Sequence, residues 1–141
     1  VRVFVDTSAL FAALVANDRM HFEARPLMAR LLDEGAGLIT TCYVLVETCA
    51  LLQARVGLPA VRDFERGFRP ALEVLWVDET LHARALARLL GQERRRLSLV
   101  DCVSFAAMES LRLRTAFAYD EHFGAEGFRV LAAESDLRGS R

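Results

Sequence analysis

The opening run Val1-Arg2-Val3-Phe4-Val5-Asp6-Thr7-Ser8-Ala9-Leu10 constrains the chain more than any other stretch. The β-branched Val3 and Val5 flank an aromatic Phe4, a composition that favours extended backbone. Polar residues do not alternate with them, so the segment reads as a strand buried on both faces, as in a parallel sheet. It breaks off in a carboxylate and two hydroxyls, and a helical pattern begins at once. Residues that leave the C-terminal end of such a strand face the crevice where open α/β sheets bind ligands. Two roles therefore suit Asp6. It can cap the next helix, as Asp does well, or serve a binding site. These ten residues alone favour the cap.

Strands and helices alternate along the remainder of the chain. Residues 7–15 and 21–32 carry helical apolar spacing, the second through Phe22, Leu27, Met28, Leu31 and Leu32. Pro26 either opens that second helix late or kinks it, because its ring clashes with the preceding turn. Gly35 and Gly37 end it, and residues 38–40 form a short buried strand. Thr40 or Thr41 caps a helix to Val56, with Leu45, Cys49, Leu52 and Val56 as its buried stripe. A charged helix over residues 59–70, a strand over 74–77 and a helix over 78–90 follow. After the polar loop Gln92-Glu93-Arg94-Arg95-Arg96, a helix over residues 98–114 buries Val100, Val103, Ala107 and Leu111. A strand at 115–118, a polar turn at 119–122 and a strand at 128–131 close the pattern. This alternation predicts one α/β domain over residues 1–133, a three-layer α/β/α sandwich around a mainly parallel sheet of about five strands. Residues 134–141 are expected to form a frayed tail.

Composition narrows the function. Hydrophobic residues make up 53% of the chain, yet no apolar run is long enough to span a bilayer. The excess belongs to a core or to a protein interface. No signal-peptide pattern opens the sequence, and three cysteines without a Cys-x-x-Cys pair argue against a disulfide framework or a thiolate metal site. Cys42, Cys49 and Cys102 are expected to act as small buried hydrophobes in a cytoplasmic protein. The net charge of −1 provides no global field for nucleic acid, so any polyanion must meet a local patch. All 18 basic residues are Arg. Without a Lys there is no Schiff-base enzyme, no Walker-A site and no Lys-assisted phospho-aspartate chemistry. What remains is the rigid bidentate cation best suited to phosphates.

The acids divide into those with an evident structural task and those without. Asp33, Asp63, Glu65 and Glu109 each have an Arg one helical turn away, at Arg30, Arg66, Arg69 and Arg112; such pairs need no function. Glu47 has Tyr43, Val44, Ala50 and Leu51 as helical neighbours and no basic partner. A buried carboxylate of that kind calls for a partner, a metal or a shifted pKa. Asp101 completes a Ser98-x-x-Asp101 capping box and also lacks a basic neighbour. Asp120 follows the fourth strand as Asp6 follows the first, where an ordinary turn residue would also be at home. In a parallel sandwich these four places can converge on one crevice. Two carboxylates ~4 Å apart repel by about 4 kcal/mol at an effective dielectric near 20, so a hard divalent cation is the natural neutraliser. Mg²⁺ or Mn²⁺ suits them better than Zn²⁺, since no His/Cys set has zinc spacing. His21, His82 and His122 stand isolated, and His122 needs no role beyond packing or solvent contact.

In this order and spacing, Val3-Phe4-Val5-Asp6-Thr7-Ser8, Val46-Glu47-Thr48, Leu97-Ser98-Leu99-Val100-Asp101-Cys102 and Ala118-Tyr119-Asp120-Glu121-His122-Phe123 resemble the PIN-domain ribonucleases. The likeness is to the VapC-like toxins of bacterial VapBC toxin–antitoxin pairs, and it extends to the closing Gly127-Phe128-Arg129-Val130-Leu131. It implies a metal-dependent endoribonuclease, often a homodimer, held inactive by a small antitoxin and working without a membrane. Asp6, Glu47, Asp101 and Asp120 would then be the catalytic acids and ligate Mg²⁺ or Mn²⁺, with Ser8 or Thr7 orienting Asp6. Arg94, Arg95 and Arg96 could contact RNA phosphates or simply form a solvated loop. Two other readings compete with the enzyme: a catalytically silent PIN-like scaffold binding RNA or protein, and an α/β receiver or phosphatase. The missing Lys counts against the last.

Overall fold

Strand β1 (Arg2–Val5) lies in the middle of a five-stranded sheet in which every pairing is parallel and the order is β3-β2-β1-β4-β5. The structure is a computed structural model that describes residues 1–92 and 97–131. The Arg94–Arg96 run and the expected tail at 134–141 lie outside the described residues. Val3, Phe4 and Val5 are buried, as a central strand covered on both faces requires. From β1 the chain steps outward through β2 (Gly37–Thr41) to the edge strand β3 (Leu72–Leu75). It then returns to place β4 (Thr115–Phe117) on the other side of β1, with the short β5 (Arg129–Val130) at the far edge. The strand order thus reverses between β1 and β4. In open α/β sheets, that reversal opens the crevice beyond the strands' C-terminal ends.

Helices α1 (Thr7–Leu14), α2 (His21–Asp33) and α3 (Cys42–Arg55) follow the first two strands. Pro26 lies inside α2, which neither opens late nor ends there. The proline is exposed, and so is Phe22, whose carbonyl loses its helical partner. Phe22 is 87% exposed and Leu32 also faces out, so the buried stripe of α2 is Ala24, Leu27, Met28 and Leu31. His21 is a buried tie, its Nδ1 2.8 Å from the Ala12 carbonyl oxygen. Of the two candidate caps for α3, Thr41 accepts the Val44 N–H at 3.2 Å, while Thr40 donates to the Val5 carbonyl at 2.8 Å. Val56, expected in the α3 stripe, is exposed beyond the helix end.

The expected helix over 59–70 is three pieces: α4 (Leu58–Asp63), a π turn (Phe64–Phe68) and a 3₁₀ turn (Arg69–Ala71). Pro70 has no N–H to give and its ring crowds the Arg66 carbonyl, and the chain leaves α-helical geometry for the π and 3₁₀ turns around it. Phe64 anchors the segment in the core. Strand β3 begins two residues earlier than the apolar run predicts, because pairing of Leu72 to Leu75 with Leu38 to Thr41 sets the register. Trp76 is left outside it, 67% exposed.

Helix α5 (Glu79–Gly91) is capped by Asp78, which accepts the Leu81 N–H at 2.8 Å. Helix α6 (Leu99–Leu111) stops at Arg112, which adopts the left-handed conformation at φ 56°. Its burial is not a stripe. Residues 101–108 are all buried, whereas Val100 and Leu111 are only half-buried. Glu109 pairs across to Arg88 at 3.0 Å rather than with Arg112, and Arg30 meets Glu34 at 3.8 Å rather than Asp33. The segment read as a turn after β4 winds into α7 (His122–Ala125), which buries Phe123. Phe123 and Phe128 close around Phe105 of α6 at ring separations of 5.0 and 5.8 Å. The three cysteines are free; Cys102 is buried, Cys42 and Cys49 are half-buried. Among the described residues no helix is long and apolar enough to cross a membrane.

Candidate active site

A cleft of about 400 Å³ opens at the strand-order reversal, and Asp6, Glu47, Asp101 and Asp120 all line it. Asp6 leaves β1 in extended backbone and its N–H still pairs with the Phe117 carbonyl of β4 at 3.0 Å. Its side chain then caps α1: Oδ2 accepts the Ser8 N–H at 3.1 Å and the Ser8 hydroxyl at 2.6 Å. The two roles read from the sequence are thus compatible, since none of the described hydrogen bonds ends on Oδ1. Ser8 Oγ in turn accepts the Tyr119 N–H at 2.9 Å. One hydroxyl therefore fixes Asp6 and the segment that delivers Asp120. The Thr7 hydroxyl is used elsewhere: it donates to the Val44 carbonyl at 3.5 Å and accepts from the Thr48 hydroxyl at 3.4 Å. It ties the β1–α1 corner to α3 and does not touch Asp6.

Asp101 stands in the first turn of α6 within a complete capping box. Ser98 Oγ accepts the Asp101 N–H and Asp101 Oδ2 accepts the Ser98 N–H, both at 3.1 Å. Asp120 Oδ1 accepts the His122 N–H at 2.8 Å and so starts α7. His122 Nδ1 is 2.8 Å from Asp120 Oδ1 and 3.6 Å from Asp101 Oδ2, and it is buried without an aligned hydrogen bond. Donor atoms of Asp101, Asp120 and His122 all lie within 4.8 Å of one another. Along the chain, nothing gives His122 a role beyond packing or solvent contact. Its position two residues after Asp120 was the available signal, but only the turn into α7 aims the ring at Asp101.

Glu47 is half-buried, not enclosed in an apolar helix as its neighbours suggested. Val46 and Ala50 beside it face solvent, because α3 turns the side that carries Val44, Leu45, Thr48 and Leu52 inward. Glu47 thus reaches the cleft from its wall, outside the compact Asp101–Asp120–His122 group.

Burial dominates the electrostatics. Asp6 is 4% exposed, and loss of water pushes its pKa from 3.8 up to about 6. The Ser8 hydrogen bonds pull it back, and the charges of Asp101 and Asp120 raise it further. Burial also raises Asp101, against the Ser98 hydrogen bond and with help from Asp120. Carboxylates crowded in a dry cleft are costly when ionised, and a cation relieves that cost. The oxygen-rich donor set, with one imidazole nitrogen at its edge, fits a divalent ion.

The model of the PIN domain family matches residues 3–127. The chain is a PIN-domain protein. The PIN domain is 34% identical over 127 residues to the "23S rRNA-specific endonuclease VapC20" of Mycobacterium tuberculosis, spanning 89% of this chain and 95% of that protein. A crystal structure of M. tuberculosis VapC20, described as a Sarcin-Ricin loop cleaving toxin, superposes with a TM-score of 0.81 at 33% identity, over 89% and 95% of the two chains. FitAcB from Neisseria gonorrhoeae shares the fold at 17% identity and a TM-score of 0.63, over 91% and 95%. The mainly parallel α/β sandwich expected from the sequence is therefore the PIN fold, with its five strands all parallel.

Ser8 is the bridge within this PIN domain, and Ser8→Ala tests it. The substitution removes the charge-assisted hydrogen bond to Asp6 and the acceptor of the Tyr119 N–H, so a loss of about 1–3 kcal/mol is expected. A urea titration checks it. A midpoint equal to that of the parent protein would show that Ser8 does not hold the two loops together.

Proposed function

We propose that this protein is an endoribonuclease that hydrolyses RNA phosphodiester bonds and acts as the toxin of a toxin–antitoxin pair. The observation that carries the reading is the convergence of Asp6, Glu47, Asp101 and Asp120 on one cleft at the strand-order reversal. Likeness to a 23S rRNA-specific endonuclease along 89% of the chain supports it.

Asp6, Asp101, Asp120 and Glu47 are the residues we assign to hold Mg²⁺ or Mn²⁺. A divalent ion there supplies neutralisation of the clustered carboxylates, polarisation of the phosphoryl group and a more acidic water. The chain's own contribution is to pre-set the acids. Ser8 clamps one oxygen of Asp6, the capping box clamps one oxygen of Asp101, and the α7 turn clamps one oxygen of Asp120. In each case the second oxygen is left for the cleft. We assign to Glu47, which has no hydrogen-bond partner among the described residues, the removal of the proton from the attacking water. The water oxygen bonds to phosphorus as the bond to one ribose oxygen breaks in line; that oxygen takes its proton from solvent water, and Glu47 returns its own proton to solvent after the step.

The partners in this reading are ribosomal RNA, a second copy of the chain and a small antitoxin, all in the cytoplasm. The test is cleavage of purified 23S rRNA by antitoxin-free protein. Cleavage is expected with Mg²⁺ or Mn²⁺, is expected to stop in excess EDTA, and is expected to return when either ion is restored. If intact rRNA persists with both ions, catalysis is abandoned in favour of a scaffold that binds without cutting.

A further inference from the structure

Four side chains, Phe11, Asp18, Arg19 and Arg55, line the acidic cleft and also a larger one of about 930 Å³ beside it. The two clefts are therefore a single groove, acidic at one end. Beyond the shared Asp18, Arg19 and Arg55, the other end carries Arg25 and Asp63, with apolar walls that include Leu14, Val56 and Phe68. Among the described residues none of these three arginines is in an ion pair. Asp18 is already engaged, its Oδ2 accepting the Met20 N–H at 2.9 Å. Arg55 is held in a particular way. Its guanidinium carbon sits 5.4 Å from the centroid of the Phe11 ring, and Phe11 is itself buried in the core. A guanidinium stacked on a fixed ring keeps its in-plane N–H edges free for a bidentate acceptor.

We infer that Arg55, seated on Phe11, binds an RNA phosphate flanking the scissile one, and that the groove beyond it carries the adjoining nucleotides past Arg19 and Arg25. The inference rests on the endoribonuclease reading. On α3, Arg55 follows Glu47 by eight residues, about 12 Å along the axis, so the two engage different phosphates of one strand. With a net charge of −1 the chain has no general attraction for RNA, and unpaired arginines lining the route to the acids are its local substitute. The apolar wall suits an unstacked base, as in recognition of unpaired RNA.

Two measurements separate this inference from the reading beneath it. Fluorescence anisotropy in EDTA, with a labelled RNA hairpin carrying an unpaired loop, reports binding without cleavage. Arg55→Ala is expected to weaken that binding roughly tenfold, the loss of one charge-assisted contact. It is also expected to make the slope of log K against log salt shallower by about 0.7. Arg55→Lys should restore the slope but only part of the affinity, because it keeps the charge and loses the flat edge. In cleavage assays, KM should rise with kcat within about twofold, the mark of lost uniform binding. Arg55 is exposed at the last turn of α3, so the variants are expected to fold, and a thermal melt confirms it. An unchanged slope and KM in a protein that still cleaves would overturn the Arg55 assignment and leave the nuclease standing. Absence of cleavage by the parent protein in either metal would remove the nuclease, while the anisotropy slopes would still decide the binding claim. If Arg55→Ala spares RNA and instead weakens binding of a poly-glutamate peptide, the groove serves a protein and the inference fails.

Discussion

Asp6→Asn is expected to abolish cleavage while making the metal-free protein more stable. The loss of activity should be at least about 10²-fold, comparable with removal of one charge-stabilising group from an active site, because the anionic donor with the driest surroundings has gone. The gain in stability follows from the same dryness. The unfolded chain releases the Asp6 proton near pH 3.8, the folded chain near pH 6. Between those values the folded protein holds a proton that the unfolded chain has lost, so stability falls as pH rises across the window. Above pH 6 the deficit is complete and amounts to about 3 kcal/mol. Asn keeps the oxygen that accepts from Ser8 and carries no charge, so Asp6→Asn recovers that amount at pH 7 to 8 and nothing below pH 3.8. Urea titrations in EDTA at pH 4 and pH 8 check the sign. Equal midpoints for the two proteins at pH 8 would show that Asp6 is not penalised by burial. The titration also predicts weaker metal binding as pH falls through 6, since protonated Asp6 is a poor ligand.

Phe105→Ala is the second large effect. The ring is fully buried, meets Phe123 edge-on at 5.0 Å, stacks on Phe128 at 5.8 Å and has the Arg88 guanidinium 5.4 Å away. Deleting it should cost about 3–5 kcal/mol and lower the melting temperature by roughly 10 °C. The consequence reaches the site. Phe105 stands one helical turn after Asp101, and Phe123 directly follows His122, so the same contact holds α6 and α7 at the distance that brings Asp101, Asp120 and His122 together. Cleavage measured well below the new melting temperature should therefore also decline. A variant that melts within a degree or two of the parent would show that the aromatic cluster does not hold these helices together.

Much of the architecture is legible in local chemistry. The apolar β-branched run before Asp6 has one comfortable place, the middle of a parallel sheet, and helix starts at Thr40 or Thr41, at Asp78 and at Ser98 announce themselves by residue type. The four acids of the cleft are legible as a set because Glu47 and Asp101 lack a basic neighbour along their helices while Asp6 and Asp120 each follow a strand. Where the reading erred, the deciding contacts are distant in sequence. The register of β3 depends on its partner β2, the exposed side of α3 depends on which elements cover it, and the partner of Glu109 is Arg88 from another helix.

By itself, the sequence determined an α/β sandwich, an arginine-only basic repertoire and four candidate carboxylates, two at strand ends and two on helices that follow strands. Periodicity and capping are local properties, and they are carried by neighbouring residues. Only the tertiary structure decided that Ser8 rather than Thr7 clamps Asp6, that His122 joins Asp101 and Asp120, and that Arg55 rests on Phe11 at the edge of the same groove. Those relations depend on where side chains from separate elements meet, and a chain acquires them only when burial of its shared core fixes the elements against one another.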